Sequence, residues 1–232
     1  MPASLQHTLD FLDDLCLNNN RVWFKANRDR YELARAAYAD VLSELIARFD
    51  VVDDLGGISP EACMYRINRD VRFSADKSPY KTWFGALLGK QGRKSETLWT
   101  YFQVAPKGNS LVAAGAYRPS PEQVKFIRDT IAADSSPLRK LITAPTFKSL
   151  FGSLEGDALK TAPKGYPKDH PDIDLLRLKQ WLATRDLTVD DLLRDDLVDY
   201  VLEIAGAMKP FAHYIGNLLE RAPKADRSPR ER

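Results

Sequence analysis

Leu5, Leu9, Leu12 and Leu15 recur at intervals of three and four residues, which predicts an amphipathic helix that Asn18-Asn19-Asn20 stops. An asparagine there also suits the N-cap of whatever follows. A second apolar series, Tyr31, Ala34, Tyr38, Val41, Leu42, Leu45 and Phe49, predicts a long helix that Asp53–Gly57 ends. The period then changes. Ala62–Ile67 alternates, with Cys63, Tyr65 and Ile67 on one side and Met64 and Arg66 on the other. Thr82–Leu88 and Leu98–Ala105 flank the polar, glycine-containing GKQGRKSE and read as a hairpin with a long loop. Pro106-Lys107-Gly108-Asn109 is a turn by its chemistry, and Ser110–Tyr117 reads as a further strand. Strands joined mostly by short loops predict an antiparallel meander.

Helical spacing returns at Ser120-Pro121-Glu122-Gln123. Serine suits the N-cap, proline the first helical position, and Gln123 completes a capping box, so a helix is expected to about Ala133. Short helices are expected at Pro137–Leu141 and Pro145–Leu150, another from His170-Pro171-Asp172 to Leu178, and a fifth strand at Gln180–Leu187. The stripe Leu197, Val201, Ile204, Met208, Phe211, Ile215 and Leu218 predicts a C-terminal helix, kinked at Pro210. The fold class that results is α+β. An antiparallel sheet of four to five strands is covered by N- and C-terminal helices, in one domain over residues 1–221. Residues 222–232 carry no apolar pattern and read as a disordered basic tail.

Composition changes this picture little. At 232 residues, 44% hydrophobic and 28% charged, the chain has the makings of an ordinary core that needs no staple. The net charge of +2 gives no global attraction to nucleic acid or membrane, so any electrostatic function must be local. Cys16 and Cys63 sit among apolar neighbours and read as buried, reduced thiols. The N-terminal stretch lacks a secretory pattern, and no apolar run approaches the ~20 residues of a spanning helix. A cytoplasmic protein without a membrane partner is expected.

Charge is concentrated in RINRDVRFSADKSPYK, residues 66–81. Arg66, Arg69, Arg72, Lys77 and Lys81 face only two local carboxylates, Asp70 and Asp76, with Ser74, Ser78 and Tyr80 interleaved. Guanidinium forks match phosphate or carboxylate oxygens bidentately, so the segment reads as an anion cradle on a strand leading into an ordered loop. The competing reading is an internal salt-bridge network drawing on Asp70, Asp76 and more distant acids. Lys160 and Lys164 lie in a second cationic stretch, KTAPKGYPKDH, where helix N-terminal amides would favour an anion. His170 with Asp169 there is either a proton-transfer pair or a helix cap, and capping is the commoner role. Trp23 and Phe24, among Arg21, Lys25 and Arg28, either stack bases or fill a core, the second being commoner. The acids of Asp186–Glu203 read as a solvated face. No nucleotide-loop, dinucleotide, zincin or serine-hydrolase motif is present, and three histidines are too few for a multi-histidine metal site. The cofactor is therefore unknown, with no metal or dinucleotide motif.

NNNRVWFKANRDRY, YRINRDVRFSADKSPYKTWFG, GAYRPSPEQVKFIR and LKTAPKGYPKDHPDIDLLRLKQW together resemble the bacterial and fungal family called domain of unknown function 2461, over about residues 5 to 220. The resemblance implies that family identity concentrates in these segments, and it transfers no catalytic residue. From the residues themselves, the leading expectation is binding of a phosphorylated or other polyanionic ligand. Its binding set would be Arg66, Arg69, Arg72, Ser74, Lys77, Tyr80 and Lys81, with Arg118, Lys160 and Lys164 as walls. An anionic small molecule is the first candidate partner and nucleic acid the second. A phosphoester hydrolase or transferase with His170 or Asp70 as acid/base stays open beside it, and so does a purely structural network.

Overall fold

A computed structural model describes residues 5–49, 55–95 and 98–223. In chain order the elements are α1 (Gln6–Leu17), α2 (Arg21–Ala26), α3 (Arg28–Phe49), α4 (Pro60–Cys63), β1 (Phe84–Leu88), a 3-10 turn (Gly92–Lys94), β2 (Leu98–Val104) and β3 (Ser110–Ala116). They continue with α5 (Pro121–Ala133), α6 (Ser136–Ile142), α7 (Pro145–Phe151), α8 (Ile173–Leu176), β4 (Trp181–Leu187), α9 (Val189–Leu193) and α10 (Leu197–Arg221). The fold is α+β, with a four-stranded antiparallel sheet in the order β1-β2-β3-β4 and helices at both ends of the chain.

The chain divides into two compact units interlaced in sequence. One comprises Met1–Ser95, Thr100–Val112 and Arg185–Ala205, and the other Glu96–Trp99, Ala113–Thr184 and Gly206–Arg232.

In the first unit, α1 and α3 pair through their apolar stripes. Leu9, Leu12 and Leu15 are buried with Ala34, Tyr38, Leu42 and Leu45. Thr8 is buried too, because its hydroxyl donates to the Ala34 carbonyl at 2.9 Å and so needs no water. Tyr38 carries α3 onto the sheet. Its ring lies 5.7 Å from both Phe84 and Phe102, and its hydroxyl donates to the Phe102 carbonyl at 2.8 Å. Strands β1 and β2 are antiparallel, Gly85 facing Gln103 and Leu87 facing Tyr101. Alternation then buries Phe102 and Val104 beneath α3 and leaves Tyr101 and Gln103 half-exposed on the opposite face.

The expected strand at 62–67 is not formed. Ser59 caps Pro60–Cys63 by accepting from the Ala62 N–H, with Pro60 at the first helical turn, so the segment opens as a helical turn. Only isolated antiparallel bridges follow, Met64 with Ala86 and Asn68 with Tyr80. The fourth strand is instead β4, the segment expected as a fifth. The two cysteines are free, and Cys63 is buried as expected, but Cys16 is exposed because it falls on the solvent side of α1.

In the second unit the capping box is present as expected: Ser120 accepts from the Gln123 N–H at 3.2 Å, and the Gln123 side chain accepts from the Ser120 N–H at 2.8 Å. Residues 155–159 run beside 177–182 through the Glu155–Leu182 and Ala158–Leu178 bridges. Phe147, Phe151 and Phe211 cluster edge to face. The helix expected from His170 to Leu178 shortens to the four residues of α8. Helix α10 passes through Pro210, as its apolar stripe demands, and Ala222 beyond it is buried with its N–H on the Leu218 carbonyl. Ala222, expected in the tail, is thus packed, and residues 224–232 lie outside the described residues.

Candidate functional site

Residues 66–81 fold back on themselves as a narrow ribbon in the first unit. The Lys81 N–H donates to the Ile67 carbonyl at 2.8 Å and the Arg69 N–H to the Pro79 carbonyl at 2.9 Å. The ribbon closes at Val71–Ser74, where the Ser74 N–H reaches the Val71 carbonyl at 3.3 Å. Its charges are sorted by role. Arg69 is the internal brace: its guanidinium pairs with Asp76, donates to the Ser78 carbonyl at 3.2 Å and reaches the Ser74 hydroxyl at 3.3 Å. Asp76 is further held by the Ser78 N–H at 2.9 Å and hydroxyl at 2.5 Å. Those Ser78 hydrogen bonds, then Arg69, pull the Asp76 carboxyl down to about 2. Arg72 grips Asp70 with two guanidinium bonds of 3.0 and 2.7 Å, and this brings Asp70 to about 2 as well.

The internal network thus consumes both local carboxylates and stops there. Arg66, Lys77 and Lys81 have no carboxylate partner among the described residues. Lys77 donates to the Val71 carbonyl at 2.9 Å and Lys81 to the Arg66 carbonyl at 2.6 Å. The Lys81 ammonium lies 4.8 Å from the Trp83 ring centroid and 5.7 Å from that of Tyr65. It is half-buried, and desolvation, then the charge of Arg66, pushes its pKa below the ordinary lysine value.

The ribbon is fastened from α1–α2. Asn19 donates to the Tyr80 carbonyl at 2.9 Å and accepts from the Tyr80 N–H at 3.1 Å. The Tyr80 ring stacks on Phe24 at 3.9 Å. The three asparagines accordingly divide their work. Asn18 ends α1, Asn20 caps α2 by accepting from the Trp23 N–H at 2.9 Å, and Asn19 clamps the ribbon. Phe24 is core, the commoner role for such a ring, and Trp23 is half-buried at 5.9 Å from Phe11.

Two aromatic features beside the cations went unread in the sequence. Phe73, at the ribbon's apex, is 96% exposed, with the Arg72 guanidinium 5.8 Å from its ring. At the base, Tyr65, Trp83 and Tyr101 are half-exposed, Tyr65 and Tyr101 meeting edge to face at 6.1 Å. Gly85 makes room for them, since a Cβ there would lie 2.5 Å from the Tyr101 hydroxyl and 2.8 Å from the Trp83 ring. The phenylalanine between Arg72 and Ser74 was the available sign, an apolar ring inside a charged run.

The remaining candidates belong to the second unit. Arg118 is exposed, with φ +53 and its guanidinium 5.1 Å from the Tyr117 ring. Lys160 and Lys164 are exposed and form no ion pair among the described residues. The short α8 is headed by acids: Asp172 and Asp174 both pair with Arg139, at 2.9 and 2.5 Å. His170 Nδ1 accepts from the Asp172 N–H at 3.0 Å just ahead of α8, whose N-cap Asp172 makes no side-chain capping bond. Tyr166 donates to Asp129 at 2.7 Å, and burial followed by that contact raises its hydroxyl to about 12. The acids between 186 and 203 are exposed apart from Asp191, which caps α9 with Thr188. Among the described residues no group of three or more His, Cys, Asp or Glu side chains could hold a metal ion, and no helix is long and apolar enough to cross a membrane.

A family model described as a conserved hypothetical protein, DUF2461, matches residues 7–214. The chain belongs to this family. The match runs through both units, the cationic ribbon included. No curated protein and no solved structure matches the chain.

Proposed function

We propose that the protein binds a phosphorylated or other polyanionic ligand on the ribbon of residues 66–81. The observation that carries the reading is the uneven pairing: Asp70 and Asp76 are spent on Arg72 and Arg69, leaving Arg66, Lys77 and Lys81 without a carboxylate. Like charges gathered along one short ribbon repel each other, and an anion relieves that repulsion. Lys81 adds weight, because the fold keeps its ammonium half-buried against aromatic rings. A binding role is favoured over phosphoester chemistry at Asp70, which has no proton to give near neutral pH and is too weak a base at about 2.

The test is isothermal titration with inorganic tripolyphosphate, at low and at physiological salt. The expected result is salt-sensitive binding that is lost in an Arg66→Ala, Lys77→Ala double variant of unchanged melting temperature. Equal affinity in parent and double variant sinks the proposal.

A further inference from the structure

The ribbon carries more than charge. Phe73 stands at its apex almost fully exposed, and the apex is braced instead of loose. Ser74 N–H closes the turn on Val71, Lys77 ties to the same carbonyl, and Arg69 holds Ser74, Asp76 and Ser78 from within. Internally the ring meets the Arg72 guanidinium at 5.8 Å, an exposed contact worth little in water. At the base of the same ribbon three more rings remain half-exposed: Tyr65 and Trp83 face the Lys81 ammonium, and Tyr101 meets Tyr65 edge to face. The uncompensated cations are distributed likewise, with Arg66 and Lys81 at the base and Lys77 tied to the apical turn.

From Ile67 to Phe73 an extended chain spans at most about 20 Å at ~3.3 Å per residue. The ribbon carries aromatic and cationic groups at its apex and again at its base. Resting on the polyanion reading, we infer that the ligand is single-stranded nucleic acid. Bases stack on Phe73 and on the Tyr65–Trp83–Tyr101 cluster, and phosphates meet Arg66, Lys77 and Lys81. Unpaired bases offer π faces at intervals along a charged backbone, which is what such a surface matches. A compact phosphate has no use for Phe73. A duplex keeps its base faces stacked against each other. An anionic bilayer would engage the apex alone and leave the rings at the base without a role.

The experiment is fluorescence anisotropy of a labelled oligothymidine of about 20 nucleotides, of its duplex, and of phosphatidylserine vesicles, against the full chain. Single strands should bind more tightly than duplex. Phe73→Ala should weaken that binding by about 5- to 100-fold, while Phe73→Tyr retains it. Because Phe73 is 96% exposed, its replacement leaves folding untouched. Lys77→Ala should reduce the slope of log affinity against log salt by about 0.7. Tripolyphosphate and single strands bound alike, with no effect of Phe73→Ala, would overturn this inference and leave the polyanion reading standing. Vesicle binding that depends on Phe73, without oligonucleotide binding, would assign the apex to membranes and overturn it as well. Failure of every anion to bind would remove both readings.

Discussion

Asn19 and Tyr80, sixty-one residues apart, satisfy each other like partners in a sheet: the amide side chain donates to the Tyr80 carbonyl and accepts from the Tyr80 N–H. One side chain thereby fixes the returning strand of the cationic ribbon against α1–α2. Asn19→Ala should cost about 1–2 kcal/mol, because both Tyr80 backbone groups lose their partner in a half-buried place. It should also weaken anion binding although it removes no charge. Urea melts and titration with tripolyphosphate check the two halves separately.

Arg69 and Arg72 should respond differently to removal. Arg69→Ala takes away the brace that joins Asp76, Ser78 and Ser74, so faster amide hydrogen exchange over residues 71–79 is expected, with lower stability. Arg72→Ala breaks only an exposed pair with Asp70 and should leave the melting temperature unchanged. Equal loss of stability in the two variants would contradict this division of roles.

Acid should loosen the ribbon late. Asp70 and Asp76 have folded-state values of about 2, below the ordinary 3.8, so their contribution is complete above the unfolded value and is lost as the pH falls through the folded one. Carboxyl chemical shifts should show both groups still ionised at pH 4 and half-protonated only near pH 2. At the alkaline end the sign is the same, because a lowered lysine value also means that the unfolded chain holds the proton longer. Lys81 has a lowered value, so its charge is lost before that of an ordinary lysine, which relieves its desolvation while anion affinity falls.

Gly115 should not tolerate a side chain. Its φ is +126, and a Cβ would lie 2.1 Å from the Trp181 carbonyl oxygen, a backbone atom that cannot swing aside. Gly115→Ala should cost about 3 kcal/mol or more. Gly85→Ala meets only the Tyr101 and Trp83 rings, which can tilt, so a smaller loss is expected, together with a change in tryptophan fluorescence. Thermal melts of the two variants order the effects.

Local signals were legible in the sequence wherever neighbours in the chain decide the structure. Ser120, Pro121 and Gln123 announce α5 because a capping box closes within four residues. Alternation between 98 and 104 sorts Phe102 from Tyr101 because successive residues on a strand face opposite ways. The reading of 62–67 as a strand failed for the same kind of reason: Ser59 and Pro60 favour a helical turn, and that local preference prevailed over an alternation only six residues long.

What the tertiary structure alone decided is pairing through space. The count of five cations against two carboxylates around residues 66–81 was visible, but not that Arg69 takes Asp76 seven residues away and Arg72 takes Asp70 two away. Electrostatic partners depend on distance and on which groups share a dry surface, and neither is a property of sequence spacing. Asn19 looked like punctuation between helices because its Tyr80 partner lies on a distant stretch of chain. Phe73 looked like any apolar residue until the brace around it turned the ring outward, since exposure is decided only once every other segment has taken its place.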